Sequence, residues 1–265
     1  MDQATVTLVR ASNPGPLTGS GTNTWIFGLD ETVVIDPGPL EEEHLQRVAE
    51  TALRVGRVAA ILCTHHHQDH RAGADRLAEL TAAPLAVFYQ RADRAGVLPL
   101  HDQDRILAGR SELVAIHTPG HASDHLCFLA ERERLLFTGD HILSGTTSVI
   151  WPPDGDMAQY LASLRHVGEL AVDRLLPGHG EPIDNPAEMV ATLIGHRRAR
   201  EEQILAALRP GPARPVDLVP TLYAGYRKEV WDFAAQTVLA HCLKLTGEGR
   251  LRQLGGGDEA AFELT

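Results

Sequence analysis

The chain has 265 residues, of which 43% are hydrophobic and 22% charged, so it can bury a large core and has an ordinary globular composition. Its formal net charge of −11 repels polyanions at long range and argues against a protein whose main task is to grip nucleic acid. No run approaches the roughly 18 apolar residues of a membrane span, and the N-terminus does not read as a signal peptide. The three widely spaced cysteines suggest no disulfide framework, so we expect a cytoplasmic protein without a membrane partner.

The first part of the chain alternates short apolar runs with segments of helical periodicity. Runs bounded by turn residues predict strands at 5–10, 24–28, 32–35, 58–63 and 85–88, and helical spacing predicts helices at 41–54 and 72–80. The stretch 96–109 is broken by proline and glycine and predicts no element. Strand patterns resume at 113–118, 126–130, 135–138 and 174–176, with a helix at 157–170. Two mixed halves of this kind predict two packed sheets with helices outside them.

A long helix is predicted from 186 to about 208, and it ends at Pro210-Gly211-Pro212. This break is the best candidate for a boundary between a catalytic domain, 1–209, and a small domain, 210–265. Two helices, at 216–223 and 230–246, and a hairpin that pairs 250–254 with 260–264 follow in the order of a winged-helix module.

Charge in the C-terminal part of the chain argues against nucleic-acid binding there. Residues 210–265 hold six Lys/Arg against seven Asp/Glu, whereas a nucleic-acid-binding wing is normally basic. We therefore expect the small domain to serve packing, substrate gating or a homodimer interface. The charged run 196–202 is interpreted as a solvated, self-compensated helix face.

The segment Thr64-His65-His66-His67-Gln68-Asp69-His70 follows directly from the continuous apolar strand predicted at 58–63. Alternate residues that leave a strand point the same way, so His65 and His67 can bind one metal ion together. Asp69 and His70 come a turn later and can offer a carboxylate and an imidazole to a second ion. His66 is expected to point away from both. Imidazoles with carboxylates suit Zn²⁺ first, while Mn²⁺ or iron would also fit.

Three further predicted strands end at a polar residue beside a glycine, which allows the backbone to approach a crowded site. These strand ends are Pro119-Gly120-His121, Gly139-Asp140 and Pro177-Gly178-His179-Gly180. The predicted ligand sets are His65, His67 and His121 for one ion, and Asp69, His70 and His179 for the other, with Asp140 as the bridge.

Two cations about 3.5–4 Å apart would lower the pKa of a shared water and supply hydroxide at neutral pH. Asp69 is the predicted catalytic residue, because its carboxylate can orient that hydroxide or accept its proton.

These residues, preceded by the strand-end Asp36, resemble the ordered motif set of the metallo-β-lactamase superfamily over roughly residues 5–209. The resemblance implies an α/β fold, a four-layer αβ/βα sandwich with the metal ions at one edge between two sheets. It also implies that Asp36 supports the metal-binding loop, although a simple cap of the turn at Pro37-Gly38 fits the same residue. His125, next to Asp124, is interpreted either as a support for the ligands or substrate, or as a cap that opens a strand.

Two branches of that superfamily are similar to this chain. The turns at 118–121 and 177–180 resemble glyoxalase II, a thioesterase. The stretch 140–147 and the winged-helix-like tail resemble the β-lactamase-like group that includes a mitochondrial single-stranded-RNA endonuclease. The tail departs from the all-helical glutathione-binding domain of glyoxalase II, which argues against a glutathione thioester.

The leading hypothesis is a zinc-dependent hydrolase with two Zn²⁺ ions whose metal-bound hydroxide attacks an ester, thioester or lactone-type acyl bond of a small molecule. The alternative is an endonuclease that uses the same ions on single-stranded RNA, which the acidic charge disfavours. An iron-dependent redox enzyme and a non-catalytic winged-helix DNA binder are weaker alternatives. The residues that bind the substrate carry no motif, so the sequence leaves them unknown.

Overall fold

The computed structural model describes residues 4–265, so Met1–Gln3, part of the N-terminus in which no signal peptide is expected, lie outside the described residues. The described chain divides into two compact units. The first contains the residues up to Thr118 together with Asp124–Thr147 and Glu169–Pro186, and the second contains Pro119–Ser123, Ser148–Gly168 and Ala187–Thr265. The second unit thus includes segments from well before residue 210, and the linear boundary at 209/210 stays a prediction.

The first unit contains two β-sheets. The six-stranded sheet has the order β1-β2-β3-β4-β5-β6, with its strands at Thr5–Arg10, Asn23–Leu29, Glu31–Ile35, Arg57–Leu62, Leu85–Phe88 and Val97–Leu100. The five-stranded sheet has the order β11-β10-β9-β8-β7, with β7 to β11 at Arg105–Ala108, Ser111–His117, Leu126–Ala130, Leu135–Gly139 and Arg174–Pro177. Strands β3 to β6 run parallel, as do β10 and β11, and the other pairs are antiparallel.

Side chains from both sheets form one apolar core in the first unit. Trp25 and Phe27 of β2 meet Phe137 of β10 edge to face, with ring centroids 6.2 and 5.6 Å apart. Helix α1 (Glu42–Val55) and helix α3 (Ala74–Thr81) bury their apolar residues against the other face of the first sheet, and the single-turn helix α2 (Gln68–Arg71) lies between them in sequence. The predicted packing of two sheets with helices outside is confirmed for the part of the fold that this unit contains.

The stretch 96–109, for which no element is predicted, contains strands β6 and β7, so that prediction is wrong. Each is four residues long and lies at the edge of its sheet, and most of its side chains are at least partly exposed. Pro99 also interrupts the β6 pattern. Proline is tolerated at such an edge because the missing N–H is not needed by a neighbouring strand.

The second unit contains four helices and a hairpin. They are α4 (Met157–Gly168), α5 (Pro186–Ala207, which begins at the last residue of the first unit), α6 (Pro215–Leu222), α7 (Trp231–Gly247), and the antiparallel pair β12 (Leu251–Leu254) and β13 (Ala261–Leu264). Ile204, Val238 and Phe262 are fully buried where the helices and the hairpin meet. The predicted order of helix, helix and hairpin is confirmed.

The prediction of a solvated charged face on α5 is wrong. Arg197 is 2% exposed, its Nη2 donates to the carbonyl oxygen of Ser148 at 2.6 Å, and its guanidinium lies 5.0 Å from the centre of the Tyr160 ring. Arg200 is also buried, with Nη1 donating to Leu222 O at 2.5 Å and the guanidinium 4.0 Å from the Tyr223 ring centre. These two cations are covered because carbonyl oxygens and aromatic faces replace their water.

No helix in the described part of the chain combines the length and the apolar character needed to cross a membrane. All three cysteines are buried and free.

We predict an acid-sensitive contact in the second unit. His241 of α7 is fully buried, 3.4 Å from Glu201 Oε1, and burial lowers the pKa of its imidazole to about 4. An unfolded histidine has a pKa of about 6.5. Between about pH 6.5 and pH 4 the unfolded chain therefore binds more protons than the folded chain. The free energy of unfolding consequently falls as the pH falls. Between about pH 7.5 and about pH 5, His241→Leu is expected to lose about 2 kcal/mol less stability than the parent.

Urea unfolding followed by circular dichroism at the two pH values measures this difference. His166→Leu, at an exposed histidine of α4, is the matched control and should keep the parent's pH dependence. Equal losses in His241→Leu and the parent would show that His241 is not the titrating group.

Candidate metal centre

The predicted ligands of the first unit come together where strands of both sheets end. In the loop after β4, the carbonyl oxygen of Thr64 accepts a hydrogen bond from Leu126 N, at the start of β9, at 2.7 Å. The turn after β11 is held in the same way, because Asn23 N of β2 donates to Gly178 O at 2.8 Å. The two sheets are therefore joined at the edge where the polar side chains emerge.

His65 and His67 face each other, as their spacing predicts. His65 Nε2 lies 2.9 Å from His67 Nδ1. The Thr64 hydroxyl donates to an Asp36 carboxylate oxygen, so the same hydroxyl oxygen accepts from His65 Nδ1 at 3.0 Å. In the neutral imidazole this leaves Nε2 of His65 with a lone pair directed at His67.

A second group lies beside this pair. His70 Nε2 and His179 Nε2 are 3.2 Å apart, and Asp140 Oδ1 lies 3.2 and 3.4 Å from the two nitrogens. Asp69 Oδ2 is 3.2 Å from His179 Nε2. His65, His70 and Asp140 also bring their ligand atoms within 4.8 Å of one another, so the two groups are adjacent. This is where a bridging Asp140 is predicted.

The hydrogen bonds of the second group show that it fits metal ions. His70 Nδ1 donates to Asp36 Oδ2 at 2.8 Å, and His179 Nδ1 donates to Gly21 O at 3.3 Å. In the neutral rings both Nε2 atoms then carry lone pairs, so neither can donate to the other at 3.2 Å. Metal-bound imidazoles are held in this way, with one nitrogen donating to a fixed acceptor and the other facing the ion.

The negative charges of the surrounding carboxylates also favour bound cations at this site. Burial alone would lower the pKa of His70, but the charges of Asp140, Asp36 and Asp69 outweigh it and raise that pKa well above its usual range. Burial would likewise raise the pKa of Asp69, but the neighbouring His70 and His179 lower it. Three carboxylates around one fully buried imidazole favour positive charge, which bound cations would supply.

Asp36 lies at the centre of the hydrogen bonds that hold the loop after β4. Its Oδ1 accepts from Thr64 N at 2.7 Å, and its Oδ2 accepts from the Thr64 hydroxyl and from His70 Nδ1, both at 2.8 Å. Asp36 is 1% exposed and its backbone has a φ of 53°, a left-handed conformation that a short polar side chain tolerates. The carboxylate thus points into the loop, so it does more than cap the turn at Pro37.

His125 supports Asp140 from behind. Asp140 N donates to His125 Nε2 at 3.2 Å, so Nδ1 carries the proton and donates to Thr118 Oγ1 at 2.9 Å. The ring also stacks on His65, with centroids 5.1 Å apart. His125 therefore contacts two predicted ligands and orients both.

The remaining predicted residues lie as follows. His121 is in the segment 119–123 of the second unit, where its Nδ1 donates to Val149 O at 2.7 Å, so that in the neutral ring the lone pair is on Nε2. Its place in a set with His65 and His67 stays a prediction. His66, expected to avoid metal, has its Nδ1 2.8 Å from Asp124 Oδ1.

Sequence reasoning missed the residues that hold the turn before His179. Asn23 Nδ2 donates to Pro177 O and Gly180 O, and Trp25 Nε1 donates to Pro177 O at 3.0 Å. Both side chains come from β2, far from the turn in sequence. A buried asparagine in an apolar strand was the one available signal, and its partners depend on the pairing of distant segments.

The comparisons with known proteins agree with this geometry. The family model described as "Metallo-beta-lactamase superfamily" matches residues 17–179, more than half of the chain. The chain belongs to the metallo-β-lactamase superfamily. Residues 215–259 match a second model, "Beta-lactamase associated winged helix domain". The chain therefore has the metallo-β-lactamase fold followed by a winged-helix domain, and it is a hydrolase.

Two relatives illustrate the range of this superfamily. The chain is 32% identical over 281 residues to the β-lactamase-like protein 2 homolog of Drosophila melanogaster, and the match covers 98% of this chain and 94% of the relative. It is 35% identical over 217 residues to the atrochrysone carboxyl ACP thioesterase of Aspergillus fumigatus, covering 77% and 65% of the two chains.

Two solved structures are also similar. A β-lactamase domain protein from Burkholderia ambifaria has a TM-score of 0.86 at 21% identity, covering 98% of this chain and 91% of that chain, which shows a common fold. TTHA1623 in a di-iron-bound form has a TM-score of 0.55 at 25% identity, covering 69% and 96%.

Gly178 tests the second group of ligands sterically. A Cβ atom there would lie 2.6 Å from His70 Cε1 and 2.7 Å from Asp140 Oδ1, and both side chains are buried. Gly178→Ala is therefore expected to displace one of them and to lower the metal content per chain, measured by mass spectrometry after purification. Gly195→Ala is the matched control, since a methyl group there meets nothing within 4 Å. A full metal load in Gly178→Ala would contradict the assignment.

Asp36→Asn tests the support of the loop. The amide keeps the shape of the side chain and tolerates the left-handed backbone, but one of the two accepting oxygens becomes a donor. Metal affinity is expected to fall about 10–100-fold, as for the loss of other outer-sphere partners, measured by competition with a chelator. Asp30→Asn is the control, because Asp30 has a φ of 68° and is exposed. Equal metal affinities in Asp36→Asn and Asp30→Asn would show that Asp36 does not support the metal site.

Proposed function

We propose that this protein is a dinuclear zinc hydrolase that cleaves an acyl bond of a small molecule, of the ester, thioester or lactone type. The observation that carries the proposal is the convergence of imidazole nitrogens and carboxylate oxygens described above, a set of donors at distances that bound cations would stabilise. Relatives named as thioesterases support hydrolysis of an acyl bond in particular.

The residues divide into two sets in this proposal. One ion would be held by His65, His67 and His121. The other ion would be held by Asp69, His70 and His179, and Asp140 would bind both ions. Ions bound there would polarise the acyl carbonyl and make a water molecule acidic enough to attack at neutral pH. Open nitrogen sites of this kind are typical of catalytic zinc. The di-iron form of TTHA1623 makes iron the rival metal.

Asp69 is the residue that would move the proton. Its side chain is 31% exposed, whereas that of His70 beside it is fully buried, so Asp69 can meet both the attacking water and solvent. Its lowered pKa keeps the carboxylate ionised at neutral pH and able to accept a proton at Oδ2. His70 and His179 remain fixed through their Nδ1 atoms, and their Nε2 atoms lie beside that carboxylate.

The test is a panel of thioesters, esters, lactones, β-lactams, phosphodiesters and RNA on protein whose metal content has been measured without added zinc. Acyl substrates are expected to be cleaved, and Asp69→Ala is expected to lower kcat about 10²–10⁴-fold. Asp75→Ala, at an exposed carboxylate of α3, should keep full activity.

Two results would overturn the proposal. Metal-loaded protein that cleaves RNA and no acyl substrate would be a nuclease. Protein that carries iron alone and loses acyl hydrolysis when zinc replaces it would refute the choice of metal.

A further inference from the structure

Residues 148–151 of the second unit form a short connection that is held by side chains from three different places. Ser148 O accepts from the buried guanidinium of Arg197, and Val149 O accepts from His121 Nδ1 at 2.7 Å. Ile150 N donates to Thr237 Oγ1 of α7 at 3.3 Å, and the Ile150 side chain is fully buried. The backbone of this connection is therefore fixed up to the residue that follows it.

That next residue, Trp151, leaves its large ring open to solvent. It is 49% exposed, and its ring meets Phe233 edge to face with centroids 6.1 Å apart. Phe233 and Thr237 are four residues apart on α7, so one helix face supports both the backbone and the ring. A tryptophan held in a fixed position and exposed beside a second aromatic residue is typical of a surface that binds an apolar ligand.

The connection also ties this aromatic pair to the proposed chemistry. Val149 accepts the hydrogen bond of His121, a proposed ligand, and Trp151 follows two residues later. Two residues span at most about 7 Å, so the Cα atom of Trp151 lies within that distance of the Cα atom of Val149, whose carbonyl orients His121. An acyl chain that extended from an ion held by His121 along this connection would meet the pair.

We propose that Trp151 and Phe233 bind the apolar part of the substrate, and that the acyl group is aromatic or a medium-length aliphatic chain. The inference rests on the proposed acyl hydrolysis and adds the class of acyl group. Trp151 is a specificity residue here: it contacts the acyl chain and takes no part in proton transfer. Small or charged acyl groups would leave the aromatic pair in water and gain nothing from it.

Acetyl, octanoyl and benzoyl thioesters of one common thiol test the proposal on metal-loaded protein. Trp151→Ala is expected to lower kcat/KM for the octanoyl and benzoyl substrates about tenfold, and to change that for the acetyl substrate by less than about twofold. Trp151→Phe, which keeps an aromatic ring, should retain most of the parent's kcat/KM for the octanoyl and benzoyl substrates. Leu107→Ala, at an exposed apolar residue of β7, is the control for a general effect of losing an apolar side chain.

Binding gives a readout that does not depend on turnover. Octanoate and benzoate, the products, are titrated calorimetrically into the parent and into Trp151→Ala, with the metal content of each protein measured. Weaker binding of both in the variant at an equal metal load supports the proposal. Thr237→Val, which removes the hydroxyl that holds Ile150 N, should weaken binding in the same direction.

Two results would overturn the inference while leaving acyl hydrolysis intact. One is an equal loss for all three thioesters, which would mean that Trp151 acts through His121. The other is unchanged product binding in Trp151→Ala. If the parent cleaves no thioester, the proposed function fails, and product binding alone still decides whether the aromatic pair binds an apolar acid.

Discussion

The close approach of imidazole nitrogens and carboxylate oxygens at the candidate metal centre constrains everything else in this structure. The Nε2 atoms of His70 and His179 lie 3.2 Å apart and cannot hydrogen-bond to each other in the neutral tautomers that their Nδ1 partners impose, and an Asp140 oxygen lies at a similar distance from both. Such an arrangement is repulsive in a buried site unless positive charge lies among the atoms. The fold must therefore supply two things, a rigid edge that holds these groups together and acceptors that fix the far side of each ring.

Both come from the junction of the two sheets. Asp36 and Thr64 fix the first loop, while Asn23 and Trp25 of β2 fix the turn that carries His179. The left-handed backbone of Asp36 is a local strain that is offset where its carboxylate accepts three hydrogen bonds. Strain of this kind persists only where the surroundings determine the conformation, and here a buried hydrogen-bond network does so. The ligands are thus held by backbone groups and buried polar side chains, which restrict the rotamers that the ligand side chains can adopt.

Much of the fold and of the candidate site could be predicted because the signals are local. Strand ends followed by His65, Asp140 and His179 are visible in the sequence, since apolar strands and turn residues are adjacent there. What could not be predicted depends on distant partners. Arg197 reads as a surface residue because its neighbours are charged, and only the folded chain supplies the carbonyl of Ser148 and the ring of Tyr160 that cover it. The short edge strands β6 and β7 could not be predicted, because most of their side chains are at least partly exposed and so give no apolar strand pattern.

The spacing of the ligands along the chain has a consequence for how the protein is made. In the first unit they run from His65, after a strand of one sheet, to His179, after the last strand of the other. During synthesis the second group of ligands therefore stays incomplete until both sheets have been translated, because its last imidazole emerges after β11. Contacts so far apart in sequence form late and slowly. Metal loading would then be a late event that selects chains whose two sheets have already joined.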